Sequence, residues 1–344
     1  MSNQKSEHYD VLTIGRSGVD IYPLQIGKGL EDVTSFGKFL GGSPTNVAVA
    51  AARHGHSAAA VTAVGKDPFG RFVRNEMRAL GVSDEFVQVN DTLATPVTFC
   101  EIFPPDDFPL YFYREPAAPD LKLDQDQIDL SAVRDAKVFW ISGTGLSEDP
   151  SRSVHFQALK ARRDLGAGQH TVFDLDYRPM FWETIEQART YFQLALTDCT
   201  VAVGNREECE VAVDETDPHR AADALLDLGV ELAIVKQGPK GVLGKTKHES
   251  VEVPPNVIDV VNGLGAGDSF GGSLCDGLVR DLGVEEILTR SNAAGAIVST
   301  RLECSTAMPT PEEIDTMIAG GDVNQGKDAA GMLADVRRKV GLDA

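Results

Sequence analysis

The chain has 344 residues, 42% apolar and 24% charged, enough to bury a sizeable core as one large α/β domain with an appendage or as two ordinary domains. Its 52 acidic against 32 basic residues give a formal net charge of −20, which repels a polyanion over most of the surface and excludes general nucleic-acid binding. Cys100, Cys199, Cys209, Cys275 and Cys304 are scattered without a CxxC pair, which argues against a disulfide framework and a structural zinc site.

The start, MSNQKSEHYDVLTIG, lacks the apolar run of a signal peptide, and no stretch approaches ~20 apolar residues, so the cytoplasm is the expected compartment and no membrane is an expected partner. DVLTIG (10–15) is a short apolar run closed by Gly15, a strand by length and composition. TNVAVAAARH (45–54) is Ala-rich and suits a closely packed helix, and AAAVTAVG (58–65) is a second buried strand. His54 and His56 flank Gly55 and read as surface histidines. RFVRNEMRALGV (71–82) sets Phe72, Met77 and Leu80 on one helical face and stops at Gly81. Further strands are expected at KVFWISG (137–143), HTVFDLD (170–176), CTVAVGN (199–205) and ELAIVKQG (231–238), with helices between. This alternation predicts an α/β fold with a doubly wound, mostly parallel sheet. Two segments interrupt it, residues 16–40 and 94–116, the second alternating like two strands around a PPDDFP turn. They are read as one small β-sheet forming a lid, with edge strands of the main sheet as the alternative. From about residue 319 the chain is Gly- and Asp-rich with room for a short helix, a tail expected outside the core.

The most telling stretch is NGLGAGDSFGG (262–272). Gly263 and Gly265 open a GxG, but a dinucleotide fingerprint then needs glycine where Asp268 stands, and it belongs after a first strand. Phe270, Leu274, Leu278 and Leu282 follow at helical spacings, so a helix starts near Asp268. Gly265, Ala266 and Gly267 then form a turn without large side chains, whose N–H groups converge on an anion. An aspartate beside that nest is a poor phosphate ligand, yet well suited to take a proton from an alcohol attacking the phosphate. The plain alternative is an N-cap. GPKGVLGKT (238–246) mimics a P-loop, but Pro239 stands where glycine is needed and the strand-like KHESVEV follows instead of a helix.

GAGD at a helix start resembles the signature of the ribokinase-like carbohydrate kinases, the phosphofructokinase-B family. A second stretch similar to that family's pattern lies far upstream, Gly41-Gly42-Ser43-Pro44-Thr45-Asn46-Val47-Ala48, with Gly55 and Gly65 at matching spacings. The similarity runs from about residue 10 to 318. It implies a three-layer α/β/α domain over 8–318 with a mostly parallel central sheet and the two lid segments inserted, leaving 319–344 as a C-terminal tail. IGRSGVD, GGSPTN, ISGTGL, FDLDYRPMFW and STAMPTPEEI resemble members that phosphorylate sugar acids, and the substrate implied is 5-dehydro-2-deoxy-D-gluconate of myo-inositol breakdown. Tyr111-Phe112-Tyr113-Arg114 and the run from Asp174 to Trp182 are similar to members acting on 2-keto-3-deoxygluconate, which usually carry Asn where Asp176 stands.

The resemblance implies ATP-dependent transfer, with Mg²⁺, to the primary 6-hydroxyl of the sugar acid. Asp268 is the implied base, and Gly265, Ala266 and Gly267 the implied anion hole. Asp20, Gly42 and Asn46 are implied to hold sugar hydroxyls, with Tyr113 and Arg16 alongside. Arg114 and Arg178 suit a carboxylate, which a guanidinium fork grips bidentately, although either also suits the γ-phosphate. Asn205-Arg206-Glu207-Glu208 resembles the family's NxxE motif, with Glu208 reaching Mg²⁺ through water. Lys236, Gly238, Gly241 and Asn292 match positions near the phosphates, ribose and adenine. In ribokinase-type members an aspartate ahead of the GAGD run helps bind an activating potassium ion. Asn262-Gly263 occupy the corresponding Asp-Thr positions here, which leaves a monovalent cation open. Lid-mediated dimers among relatives imply a homo-oligomer. The rivals are a kinase of 2-keto-3-deoxygluconate, fructose or ribose, a non-catalytic sugar or nucleotide sensor, and a dinucleotide-dependent dehydrogenase.

Overall fold

The computed structural model describes residues 8–163, 166, 168–326 and 329–339. Its strands are β1 (Val11–Ile14), β2 (Gly18–Pro23), β3 (Phe36–Gly41), β4 (Ala58–Gly65), β5 (Val82–Ser83), β6 (Val87–Asn90), β7 (Val97–Cys100) and β8 (Leu110–Tyr113). They continue with β9 (Val138–Ser142), β10 (His170–Asp174), β11 (Val201–Asn205), β12 (Leu232–Lys236), β13 (Val242–Lys245) and β14 (Ser250–Val253). The helices are α1 (Ser43–Arg53), α2 (Pro68–Ala79), α3 (Leu130–Asp135), α4 (Ser151–Ala161), α5 (Ile185–Leu196) and α6 (Arg206–Val213). The rest are α7 (Pro218–Asp227), α8 (Ala266–Val279), α9 (Val284–Ser299), α10 (Pro311–Ile318) and α11 (Ala329–Lys339).

The main sheet runs β14-β13-β12-β11-β10-β9-β1-β4-β5, with β6 paired to β4. Pairing is parallel from β12 across to β5, and only β13 and β14 are antiparallel. Its central strands are continuous apolar runs because both faces are covered. Alternate residues serve two cores: Val11, Val138 and Trp140 pack with α1, α8 and α9, while Leu12, Phe139 and Ile141 pack with α4, α5 and α7. The chain leaves β1 towards β4 on one side and returns to β9 on the other, so the strand order reverses between β1 and β9. In open α/β sheets the ligand crevice lies outside the strand ends at such a point.

Residues 16–40 and 94–116 form their own four-stranded sheet, β3-β2-β7-β8, separate from the main one, as the lid reading expects. Helix α2 starts three residues before the expected Arg71, because Asp67 caps it by accepting from the Gly70 amide and Pro68 fits the first turn. The tail departs from expectation. Helix α11 buries Val336 in the same core as Leu302 and Met308, with Leu333 packed against it. Two apolar residues three apart suffice to dock a short helix, whereas its Gly- and Asp-rich surroundings read as a linker. Positions 327, 328 and 340–344 of that tail lie outside the described residues. His54 and His56 are not surface residues of no account either: His56 Nε2 lies 2.8 Å from Asp276 Oδ1 and His54 Nδ1 3.7 Å from Oδ2, joining the end of α1 to α8. Among the described residues no helix is long and apolar enough to cross a membrane.

Candidate active site

Two helices place the candidate reacting groups. α1 and α8 run side by side in the same direction, and small residues make the contact between them. A Cβ on Gly272 would fall 2.1 Å from the Ala50 Cβ, and one on Gly271 3.0 Å from Val47. So close an approach brings two positive helix N-termini together. Gly265 enters α8 with φ +83°, and a Cβ there would lie 2.2 Å from Cys304 Sγ. No side chain caps α8, which leaves its first-turn N–H groups to converge on a ligand. Gly42 opens α1 with φ +100°, where a Cβ would meet the Arg16 carbonyl oxygen at 2.4 Å.

Asp268 stands in the first turn of α8 and accepts a hydrogen bond from Asn46 Nδ2 of α1 at 2.8 Å. Burial raises its pKa, and hydrogen bonds from Ser43 and Asn46 offset part of that rise. A carboxylate of raised basicity beside a helix start that no side chain caps suits a general base acting next to a phosphate. Asp20 approaches from β2 of the lid, over Gly41, where a Cβ would fall 2.2 Å from its Cγ. Burial pushes the Asp20 pKa up to about 7, Tyr22 and Arg16 pull it down, and the Asp268 charge pushes it further up. Tyr22 donates its hydroxyl to Asp20 Oδ2 at 3.1 Å.

The arginines gather at the reversal point of the sheet. Arg16, just past β1, donates through Nε to Thr144 Oγ1 at 2.9 Å, just past β9, and through Nη2 to Asp176 Oδ2 at 2.8 Å. Arg178 pairs with the other oxygen of Asp176 at 3.0 Å. Burial alone would raise the Asp176 pKa, but Arg16 and Arg178 hold it below the usual carboxylate value. Arg114 pairs with the buried Asp120 at 2.6 Å and lies 5.2 Å from the Phe181 ring, which Arg16 approaches at 6.0 Å. Three guanidinium groups thus pair directly with two carboxylates, and Glu208, Asp174 and Asp268 add negative field at Arg178. Arg114 Nε and Arg178 Nε are buried donors without a partner.

On the opposite side, Asn205 and Glu208 form a reciprocal cap of α6: Asn205 Oδ1 accepts from the Glu208 amide at 2.9 Å, and Glu208 Oε2 from the Asn205 amide at 2.7 Å. Lys236 closes β12 with Nζ 3.4 Å from where a Gly267 Cβ would stand. Burial lowers its pKa, and Asp174, Glu208 and Asp268 more than offset this, keeping it charged. Gly238 and Gly241 adopt φ +56° and +93° in the turn from β12 to β13. Asn292 donates to the Pro254 carbonyl at 2.8 Å, tying α9 to the segment after β14.

Tyr113 is not brought to the site. Side chains alternate along β8, so Phe112 packs on Phe181 at 5.2 Å between ring centroids, while Tyr113 lies on the other face, 64% exposed, against Phe99. Phe112, Phe181 and Thr144 went unrecognised from sequence. Period-two alternation through YFYR is the signal that finds Phe112. Thr144 and Phe181 are revealed only by tertiary contacts.

A three-layer α/β/α sandwich with a β-lid over paired helix N-termini defines a ribokinase-like phosphotransferase. The chain belongs to the pfkB family of carbohydrate kinases, whose family model matches residues 9–311. It is similar to 5-dehydro-2-deoxygluconokinase of Shouchella clausii (strain KSM-K16), 32% identical over 319 residues, 92% of this chain and 97% of that one. Among solved structures it resembles an E. coli protein assigned as ribokinase II, in complex with ATP and Mg²⁺, with TM-score 0.81 and 26% identity over 91% of this chain and 99% of that one. A fructokinase double mutant of Vibrio cholerae O395, bound to fructose, ADP and a potassium ion, shares the fold with TM-score 0.78 and 22% identity over 91% of this chain and 100% of that one.

Proposed function

We propose that the chain transfers the γ-phosphoryl group of ATP to the 6-hydroxyl of 5-dehydro-2-deoxy-D-gluconate, in the myo-inositol breakdown of the cytoplasm. The observation that carries this reading is Asp268, held by Asn46 where two helix N-termini meet. Asp268 takes the proton of the 6-hydroxyl, and the oxygen attacks the γ-phosphorus in line. The amides of residues 265–267 meet the charge that develops, each such donor lowering the barrier by ~3–4 kcal/mol. Lys236 neutralises phosphate charge beside them, and Asp20 and Asn46 orient the sugar. Mg²⁺, when bound, screens the β- and γ-phosphate oxygens. Asp174 and Glu208, which lie within each other's electrostatic reach beside Lys236, would hold such an ion largely through water. The buried, unpartnered Nε donors of Arg114 and Arg178 support a sugar acid over a neutral sugar, and the relatives' name supports this particular acid. Five buried, unpaired cysteines fit a reducing compartment.

The test is ADP release with Mg-ATP on 5-dehydro-2-deoxygluconate, 2-keto-3-deoxygluconate, fructose and ribose. Preference for the first is expected, and preference for another sugar overturns the substrate while keeping the chemistry. Asp268→Asn should keep ATP binding and lower kcat by about 10²–10⁴. A folded variant with near-parental turnover removes Asp268 as the base.

A further inference from the structure

We infer that a side-chain amide takes the place of the activating monovalent cation in this chain, so that its turnover is independent of potassium. The residue is Asn262, three positions ahead of the glycine that opens α8. It is fully buried. Its Nδ2 donates to the Leu302 carbonyl at 2.8 Å, and its Oδ1 accepts from the Leu264 amide at 3.1 Å. The amide cannot be turned around, since a carbonyl only accepts and a backbone N–H only donates. Its own backbone N–H donates to the Ser299 carbonyl at 3.2 Å. One neutral side chain therefore ties the loop entering α8 to the loop that follows α9.

A cation at this junction needs oxygen lone pairs turned towards it and negative charge to hold it. The residues do not fit that need. Asn262 brings no carboxylate, and its Nδ2 already donates to the Leu302 oxygen. A second carbonyl of the same loop, that of Ala307, accepts from Arg301 Nη1 at 2.7 Å, and Arg301 also pairs with Glu313. Ser305 and Thr306 carry buried hydroxyls without partners, but these are neutral, and the loop's buried carboxylate, Glu303, is already engaged elsewhere. The tie matters because Cys304, in the same loop, abuts Gly265 and lies 3.8 Å from Asp268 Oδ2, so the loop's position sets the floor of the anion site.

The experiment compares the full-length protein in tetramethylammonium chloride and in potassium chloride at equal ionic strength, by melting temperature, by calorimetric binding of a non-hydrolysable ATP analogue, and by ADP release on the sugar acid. All three should be unchanged. A potassium effect of about 5-fold or more on nucleotide affinity or kcat/KM, the lower end of ordinary effector coupling, overturns the inference. So does a saturable rise in melting temperature. Asn262→Asp removes the donor to Leu302 and supplies a carboxylate, and it should make nucleotide affinity respond to potassium by about 5-fold or more. A folded Asn262→Asp protein as indifferent to potassium as its parent shows that the amide is not the substitute, and also overturns it. The inference rests on the kinase reading only for ADP release. Silence on every sugar, with nucleotide binding still indifferent to the cation, counts against the substrate reading and supports the cation inference.

Discussion

Gly272→Ala tests whether the contact between α1 and α8 sets the geometry of catalysis. The added Cβ would lie 2.1 Å from the Ala50 Cβ and 3.1 Å from the Ala50 Cα and carbonyl carbon, atoms that cannot rotate away. Restoring an ordinary carbon contact of about 3.5–4.0 Å requires the helices to part by roughly 1.5 Å. Overpacking of this kind costs about 1–3 kcal/mol, and the better helix propensity of alanine offsets about 1 kcal/mol. Global stability should therefore fall by no more than about 2 kcal/mol. The active site suffers more. The Asn46–Asp268 hydrogen bond sits one helical turn from the wedge at 2.8 Å, and parting the helices carries it beyond bonding range. Misplacing a reacting group by about 1 Å costs about 100-fold in turnover. Chemical denaturation measures the first effect and kcat the second. Gly277→Ala is the control: its Cβ would meet Ile287 Cγ1 at 2.6 Å, on α9 rather than α1, so stability falls while kcat stays within about 3-fold. If Gly272→Ala loses stability yet keeps near-parental kcat, the helix contact does not position Asp268 and the reasoning fails.

Arg178→Met should raise KM for the sugar acid by about 10- to 100-fold, the value of a hydrogen bond to a charged group, and leave a neutral sugar unaffected. Equal losses on both would assign Arg178 to the phosphate. Asp20 titrates near 7 in the folded chain against a usual 3.8, so it stabilises the fold fully below that usual value, and this stability is lost as pH rises through 7. Melting temperatures from pH 4 to 8 should show a flatter decline in Asp20→Asn, and an unchanged slope refutes the assignment. Asp276 is shifted the other way: burial would raise its pKa, but His54, His56 and Arg280 hold it well below the usual range. Its contribution is present above the usual carboxylate pKa and lost in acid, so Asp276→Asn should cost about 3 kcal/mol at neutral pH by denaturant unfolding, shrinking as pH falls.

The central strands were legible because a strand buried on both faces is a continuous apolar run, as VLTI, VFWIS and LAIVK are. The helix at Asp268 was legible from glycines followed by apolar residues at helical spacing. Lid strands showed as alternation, but their pairing, β2 between β3 and β7, is a tertiary fact with no local signal. Asp176 looked like a departure from a pattern. In place, at φ +27° and between two guanidinium groups, it fixes both Arg16 and Arg178. Asn205 and Glu208 looked like a metal-site motif, and their hydrogen bonds show a helix cap first. The capping geometry leaves one Glu208 oxygen for other work, so the structural and the functional readings of that motif are compatible.

The two glycine-rich motifs, more than two hundred residues apart in sequence, are halves of one device. Contacts between α1 and α8 advance in step by four residues on each helix: Asn46 with Asp268, Ala50 with Gly272, and His54 with Asp276. In the proposed mechanism the first pair does chemistry, while the second sets the spacing and the third clamps the far end with a buried charge. Only alanine and glycine at the middle pair let the helices approach closely enough for a side-chain amide on one to reach a carboxylate on the other. The run VAVAAA in α1, which in isolation reads as bland helix, is therefore as much a part of the proposed active site as Asp268. A larger residue on either helix would act on catalysis without touching substrate.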